Sequence, residues 1–315
     1  MALGTNHVTN TTGATFIPEI WSDEIVAAYE KSLVLANLVN RMPMSGKKGD
    51  TLHIPKPTRG DASAKQAETQ VSLIAATESE VVVTINQHYE YSRLIEDITD
   101  VQALASMRQF YTSDAGYALA KRVDTDLFAL GKKLGDDAGT GTDWVHSNSF
   151  YMDASTGLTA YGLDTVTTAD VFTDAGFRAA IKQLDDNDVP MDQRFLVVPP
   201  SVIQTIRGVE RYVSSDFVSG QPVMSGKVGS LYGIDVYVST NCPVIEAASA
   251  NSNSTADTKA GILGHRDAMV FAEQMGVRTQ TQYKQEYLGD LFTADTLYGV
   301  QVLRPESALV LAFPA

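Results

Sequence analysis

Two strand-like stretches of this chain enclose a segment that cannot fold on itself. Thr51 to Pro57 reads as an edge strand, because Pro55 and Pro57 lack the amide hydrogen that a central strand must supply. Val81, Val83, Ile85, Tyr89 and Tyr91 alternate with Thr84, Asn86, His88 and Glu90, the period-two pattern of a half-buried strand. Between them Thr58 to Thr77 is polar and alanine-rich. A loop beyond about 12–15 residues with little to bury is unusual inside a compact domain. Residues 46–95 therefore read as an elongated hairpin, turned at Gly46, Gly49 and Asp50 and projecting onto another molecule.

The projection reverses the charge of the chain that carries it. The 315 residues have a formal net charge of −14. Yet Lys47, Lys48, Lys56, Arg59 and Lys65 stand here against only Asp50 and Asp61. A solvated loop accounts for these residues. So does electrostatic docking onto an acidic neighbour, which sets register more than affinity. The second reading makes the five basic side chains candidate intersubunit contacts. The acidic balance of the whole argues against sequence-specific nucleic-acid binding.

The longest helical pattern spans residues 98–134. Val101, Leu104, Met107, Tyr111, Ala115, Ala118, Leu119, Val123, Leu127, Leu130 and Leu134 keep one face apolar. Such a helix would be about 55 Å long, with a kink expected at Gly116. Ahead of it, residues 1–45 pass from a Thr/Asn/Gly lead-in to helical spacing from Pro18 through Ile20, Trp21, Ile25 and Tyr29, read either as an ordinary helix or as an arm. Behind it, residues 135–167 read as an irregular excursion, and residues 168–187 as a helix capped by Thr168. Phe195 to Val198 and Ile234 to Val238 are expected strands, with a short helix from Val202 to Arg207. Glu246 to Ala260 reads as an exposed loop. Further strands are expected near Gly261–Leu263, Met269–Ala272, Arg278–Gln285, Gly299–Leu303 and Ala308–Phe313.

No catalytic constellation emerges. Gly220 to Val228 approaches the phosphate-loop pattern, but the glycine spacing is one residue too long and Val228 stands where a hydroxyl must hold magnesium. His7, His53, His88, His146 and His265 are scattered. Asp185, Asp186, Asp188 and Asp192 lack the glycine and closing glutamate of the common calcium loop, and read as a solvated acidic turn. Cys242, the one cysteine, can form neither an intrachain disulfide nor a thiolate zinc site. No apolar run approaches the roughly 18–20 residues that span a bilayer, and the N-terminus lacks signal-peptide character. The expectation is a non-enzymatic protein with no cofactor and no membrane partner, kept in a cytoplasm-like compartment.

The order of segments resembles one family along residues 16 to 313. Phe16-Ile17-Pro18-Glu19-Ile20-Trp21 opens the arm, and Gly49-Asp50-Thr51-Leu52-His53-Ile54-Pro55 enters the hairpin. Ala118-Leu119-Ala120-Lys121-Arg122-Val123-Asp124-Thr125-Asp126 lies in the long helix. Val189-Pro190, then Arg194-Phe195-Leu196-Val197-Val198-Pro199-Pro200, opens a mixed domain, and Tyr298-Gly299-Val300-Gln301-Val302-Leu303-Arg304-Pro305-Glu306 closes the set. These stretches are similar to those of tailed-bacteriophage major capsid proteins with the Hong Kong 97-like coat fold. The resemblance implies an α+β chain with an N-terminal arm at 1–45 and an extended loop (E-loop) at 46–95. A peripheral (P) domain with the spine helix would follow at 96–167, an axial (A) domain at 168–275, and return strands of the peripheral domain at 276–315.

It further implies self-assembly into pentamers and hexamers of an icosahedral shell around double-stranded DNA. The partners would be a portal, a decoration or cement protein, and a scaffolding protein made as a separate chain, since this sequence begins almost directly at the arm. The place would be the virion capsid, assembled in the host cytoplasm. A cellular nanocompartment shell of the same fold is the nearest alternative. A soluble α/β enzyme is an alternative from another class, and would show a concave polar pocket.

Overall fold

The computed structural model describes residues 34–44, 49–57, 60, 62, 64–68, 70–71, 73, 78–97, 107–135, 141–209 and 229–315. The expected arm helix from Pro18 and the near phosphate loop at Gly220 to Val228 fall outside them. Two sheets meet across the spine helix, and a separate two-stranded hairpin stands apart from both.

The chain enters through a short helical turn, α1 (Leu35–Leu38), and a strand, β1 (Asn40–Pro43). The hairpin follows as β2 (Thr51–Pro57) and β3 (Glu78–Thr84), paired antiparallel from Thr51↔Thr84 to Pro57↔Glu78. Next comes β4 (Gln87–Glu96). The alternation read from Val81 to Tyr91 as one strand thus belongs to two, in different sheets. Period two reports which face is buried, not which strand is the partner. It survives the crossing: Val83 and Ile85 are buried, while Asn86 and His88 are exposed.

The spine helix α2 (Met107–Ala129) continues into a 3₁₀ turn, Leu130–Lys133. The described part of the helix is about 35 Å long at 1.5 Å per residue. The expected first turns, 98–106, lie outside the described residues. The helix runs on through Gly116. It buries Ala115 and Leu119 against Phe292 and Ala294, and Leu127, Phe128 and Leu130 in the main core.

The smaller sheet has the order β1-β12-β13-β4, where β12 is Met269–Lys284 and β13 is Gly289–Val302. Two strands were expected within β12. It is one, with register shifts at Glu273/Met275 and Met275/Arg278. Such bulges put an extra residue into one strand and break the apolar rhythm without ending the strand. Gly299 sits where the backbone of Thr84 and Ile85 crosses, leaving no room for a Cβ.

The larger, eight-stranded sheet comprises β5 (Ser149–Asp153), β6 (Gly157–Ala160), β7 (Arg194–Val198), β8 (Ser230–Leu231), β9 (Ile234–Val238), β10 (Val244–Glu246), β11 (Thr258–His265) and β14 (Ala308–Pro314). Helices α3 (Asp174–Asp186) and α4 (Pro200–Gly208) pack on one face. The helix side of β7 takes Leu196 and Val198, with Phe177, Leu184, Ile206, Leu311 and Phe313. Phe195 and Val197 point the other way, toward Leu127, Phe128 and Val310. Burial on both faces explains why β7 and β14 read as unbroken apolar runs.

Three expectations fail here. Residues 135–167 hold the β5–β6 hairpin, which joins the larger sheet through β14. Helix α3 starts at Asp174, not Thr168, because the Thr173 hydroxyl accepts from the Gly176 amide at 3.1 Å and caps it. Thr168 sits instead in a turn closed by Asp170, which accepts from Thr167 N at 2.7 Å. The stretch from Glu246 to Ala260 is no exposed loop, since Asn251, Ser254 and Thr258 are buried. Glu246 accepts from Asp164 N at 2.9 Å, and Asn251 Nδ2 donates to Val166 O at 3.1 Å. A segment poor in apolar side chains can be buried when its polar groups find partners.

Candidate assembly surface

The hairpin stands on an apolar root. Val83 and Ile85 are buried with Met44, Val270 and Ala272, and Leu52, Ile54 and Leu297 pack around them. Ile85 N donates to Asp50 O at 2.8 Å, and Gln274 Nε2 donates to Gly49 O at 2.8 Å. The root is thereby tied to the smaller sheet at the bulge in β12. Farther out the described residues are exposed. His53 Nδ1 lies 3.0 Å from Glu80 Oε2 with both side chains more than half exposed, a pair worth at most about 1 kcal/mol. Leu73 is 95% exposed. Among the described residues β2 and β3 pair only with each other.

Two of the basic candidates are placed. Lys56 lies on β2 opposite Ser79, whose hydroxyl donates to the Lys56 carbonyl at 3.1 Å, and its side chain is exposed. Lys65 is exposed in the segment beyond the strands. Lys47, Lys48 and Arg59 lie outside the described residues, as does Asp61.

A second surface is the far end of the smaller sheet. Arg278 grips Asp295 through two bonds of 2.8 and 2.9 Å, and His88 Nε2 approaches the same carboxylate at 3.3 Å. The hydrogen bond from Arg278 is the main influence on Asp295 and holds its carboxyl below the usual range, against a smaller upward push from burial. This three-strand clamp fixes the register of β12, β13 and β4. Next to it Val277 is exposed, and beyond it Tyr283, Tyr287 and Leu288 are too.

The spine-helix motif carries two anchoring carboxylates that sequence reasoning quoted but gave no role. Asp124 is fully buried, accepting from Leu35 N at 2.9 Å and from Asn241 Nδ2 at 3.1 Å. Burial pushes its carboxyl up, and hydrogen bonds from Asn241 and Leu35 pull it back. Asp126 accepts from the Tyr298 hydroxyl at 2.8 Å and pairs with Arg122 at 3.1 Å. Their signal was an acidic pair beside Val123 and Leu127 on the buried side of a helix.

The remaining polar side chains serve the fold. Burial, with the charge of Asp124 adding to it, pushes the Cys242 thiol up to about 12, so it stays protonated at neutral pH. His146 Nε2 lies 2.8 Å from Gly131 O and its Nδ1 accepts from Asn148 N at 3.2 Å, while burial lowers its proton affinity. His265 Nδ1 accepts from Asp267 N at 3.1 Å. Asp185 pairs with Arg194 at 2.7 Å and Asp186 with Lys182 at 2.6 Å. His7 lies outside the described residues. Among the described residues no three His, Cys, Asp or Glu side chains converge as a metal site. No described helix is long and apolar enough to cross a membrane.

A family model described as phage capsid protein matches residues 21–306. A solved chain titled Mycobacterium phage Che8 shares 24% identity over 94% of this chain and 97% of its own, with a TM-score of 0.73. The capsid structure of cyanophage P-SCSP1u shares 20% identity over 98% and 96%, with a TM-score of 0.74. A chain of the cyanophage Pam1 capsid asymmetric unit shares 12% identity over 99% of both chains, with a TM-score of 0.73. No curated protein matches the sequence.

Proposed function

Because this chain belongs to the phage capsid protein family and is a structural, non-enzymatic protein of the virion capsid with a Hong Kong 97-like fold, we propose that it builds the shell by self-assembling into pentamers and hexamers. The shell is icosahedral and encloses double-stranded DNA. The observation that carries this is the hairpin: a rooted base, an uncovered distal part, and Lys56 and Lys65 exposed on an otherwise acidic chain. A projection whose outer part is exposed among the described residues offers a surface for a neighbour. Lys47, Lys48 and Arg59 belong to the same proposed contact.

The sequence divides off an arm at 1–45 and an E-loop at 46–95; β1 (Asn40–Pro43) and β4 (Gln87–Glu96) are moved from them to the smaller sheet. Sheet membership suggests a different split for the rest. The smaller sheet with α2 forms the peripheral domain, and the larger sheet with α3 and α4 forms the axial domain, so that 149–160 and 308–314 join the axial side. A separate scaffolding protein, a portal and a decoration protein complete the assembly, which takes place in the host cytoplasm. The acidic balance suits a container whose contents must slide, because a wall without strong positive charge does not grip phosphate.

Electron microscopy of purified material tests the reading. Closed shells tens of nanometres across, with nuclease-protected DNA in the mature particles, are expected. A monodisperse small particle under assembly conditions would sink the shell, and shells holding protein cargo without DNA would point to a nanocompartment.

A further inference from the structure

We propose that Asp124 is the joint that fixes how the chain from residue 35 to residue 43 enters the fold, and that assembly depends on that joint; the second clause rests on the capsid reading above. Three stretches far apart in sequence meet at this one side chain. It belongs to α2. One oxygen accepts from the amide of Leu35, the first residue of α1, at 2.9 Å. The other accepts at 3.1 Å from Asn241, in the turn that follows β9 of the larger sheet. Asn241 is itself held, its side chain reaching Thr125 Oγ1 at 3.2 Å and its amide donating to Ser239 Oγ at 3.1 Å.

The surroundings are largely apolar. Leu35, Val39, Leu127, Cys242 and Ala260 lie in one buried cluster beside the carboxylate. A carboxylate in such a place adds little stability compared with a well-packed apolar side chain. What it adds is direction, since hydrogen bonds have a preferred geometry and apolar contact does not. Helix α1 spans Leu35–Leu38, far too short to be stable alone. Just beyond it, β1 is laid parallel on β12, Asn40↔Val270 to Pro43↔Glu273. The chain from 35 to 43 is thus pinned at both ends, by Asp124 and by β12.

Amide hydrogen exchange on unassembled subunits tests the joint. Asp124→Asn preserves volume and replaces an acceptor oxygen with a donor; Asn241→Ala removes the other partner. Exchange at 35, 37 and 39 is expected to accelerate about tenfold in both variants, the loss of roughly one hydrogen bond to a charged group. Exchange in β11 and β14 should change less than about twofold, because local opening is separable from global unfolding. Asp126→Asn is the control and should leave 35–39 as in the wild type. Unchanged exchange at 35–39 in both variants overturns the joint. So does an equal rise throughout the chain, which would make Asp124 a general stabiliser.

Particle yield tests the second clause. Fewer or misshapen particles from Asp124→Asn support it, and ordinary particles from subunits with fast exchange at 35–39 overturn it. A wild type that never forms particles would count against the capsid reading, while the exchange data alone decide the joint.

Discussion

Asp124 and Asp295 are both held by hydrogen bonds, yet acid acts on them with opposite sign. Asp295 has its carboxyl depressed by Arg278, so it contributes stability above the unfolded carboxylate value of about 4 and loses it as pH falls through the lower folded value. Asp124 has its carboxyl raised by burial. Its contribution is fully present below the unfolded value and is lost as pH rises through the raised one. Burial of Asp124 is therefore a cost to its charged form, and the Arg278 bond a gain to that of Asp295. Arg278→Gln isolates the gain. Its melting temperature should lie below the wild type's at pH 6, with the gap closing as both are taken toward pH 3. A gap that holds constant or widens in acid would contradict the assignment.

The hairpin is shorter than the 46–95 read from the sequence, since β2 and β3 end at Thr84 and β4 joins the smaller sheet, and its exposed charge is open to a direct test. Lys56→Glu together with Lys65→Glu should leave the subunit's melting within about 0.5 kcal/mol of wild type, as exposed substitutions usually do. Particle yield should fall, more at low salt than at high, because rim charges steer association. Normal assembly at every salt concentration would remove these residues from the contact. The hairpin was legible because two prolines marked an edge and a two-residue rhythm marked a half-buried strand. The rhythm could not show that the chain changes sheets near Ile85, since both partners bury the same face. Polar composition misled at Glu246 to Ala260, whose burial depends on bonds to Asp164 and Val166, some 82 to 85 residues earlier. Asp124 was visible as a letter in a motif, but its partners lie 89 and 117 residues away in sequence. Local pattern has no access to such pairs.

In the whole molecule, two sheets share the spine helix as a common support. The larger is covered on both faces, by α3 and α4 on one side and by the end of α2 on the other. In the smaller sheet, β12 is exposed from Gly276 to Tyr283 among the described residues. A shell subunit also faces a hazard that a monomeric enzyme does not. Many copies must meet at high concentration with a two-stranded hairpin standing out from each. Unpaired strand edges invite their own kind, and head-to-tail contacts that fail to close grow into filaments. Pro55 and Pro57 share one parity in β2, so their nitrogens face one side, and the ladder with β3 is intact along Thr51–Pro57. The missing hydrogens therefore belong to the outer edge. Replacing both prolines with valine should restore two donors there and turn part of the soluble subunit into thioflavin-positive fibres; continued clean assembly would show the edge is guarded by something else. On the proposed shell reading, the two prolines guard a closed container against an endless cross-β thread made of the same protein.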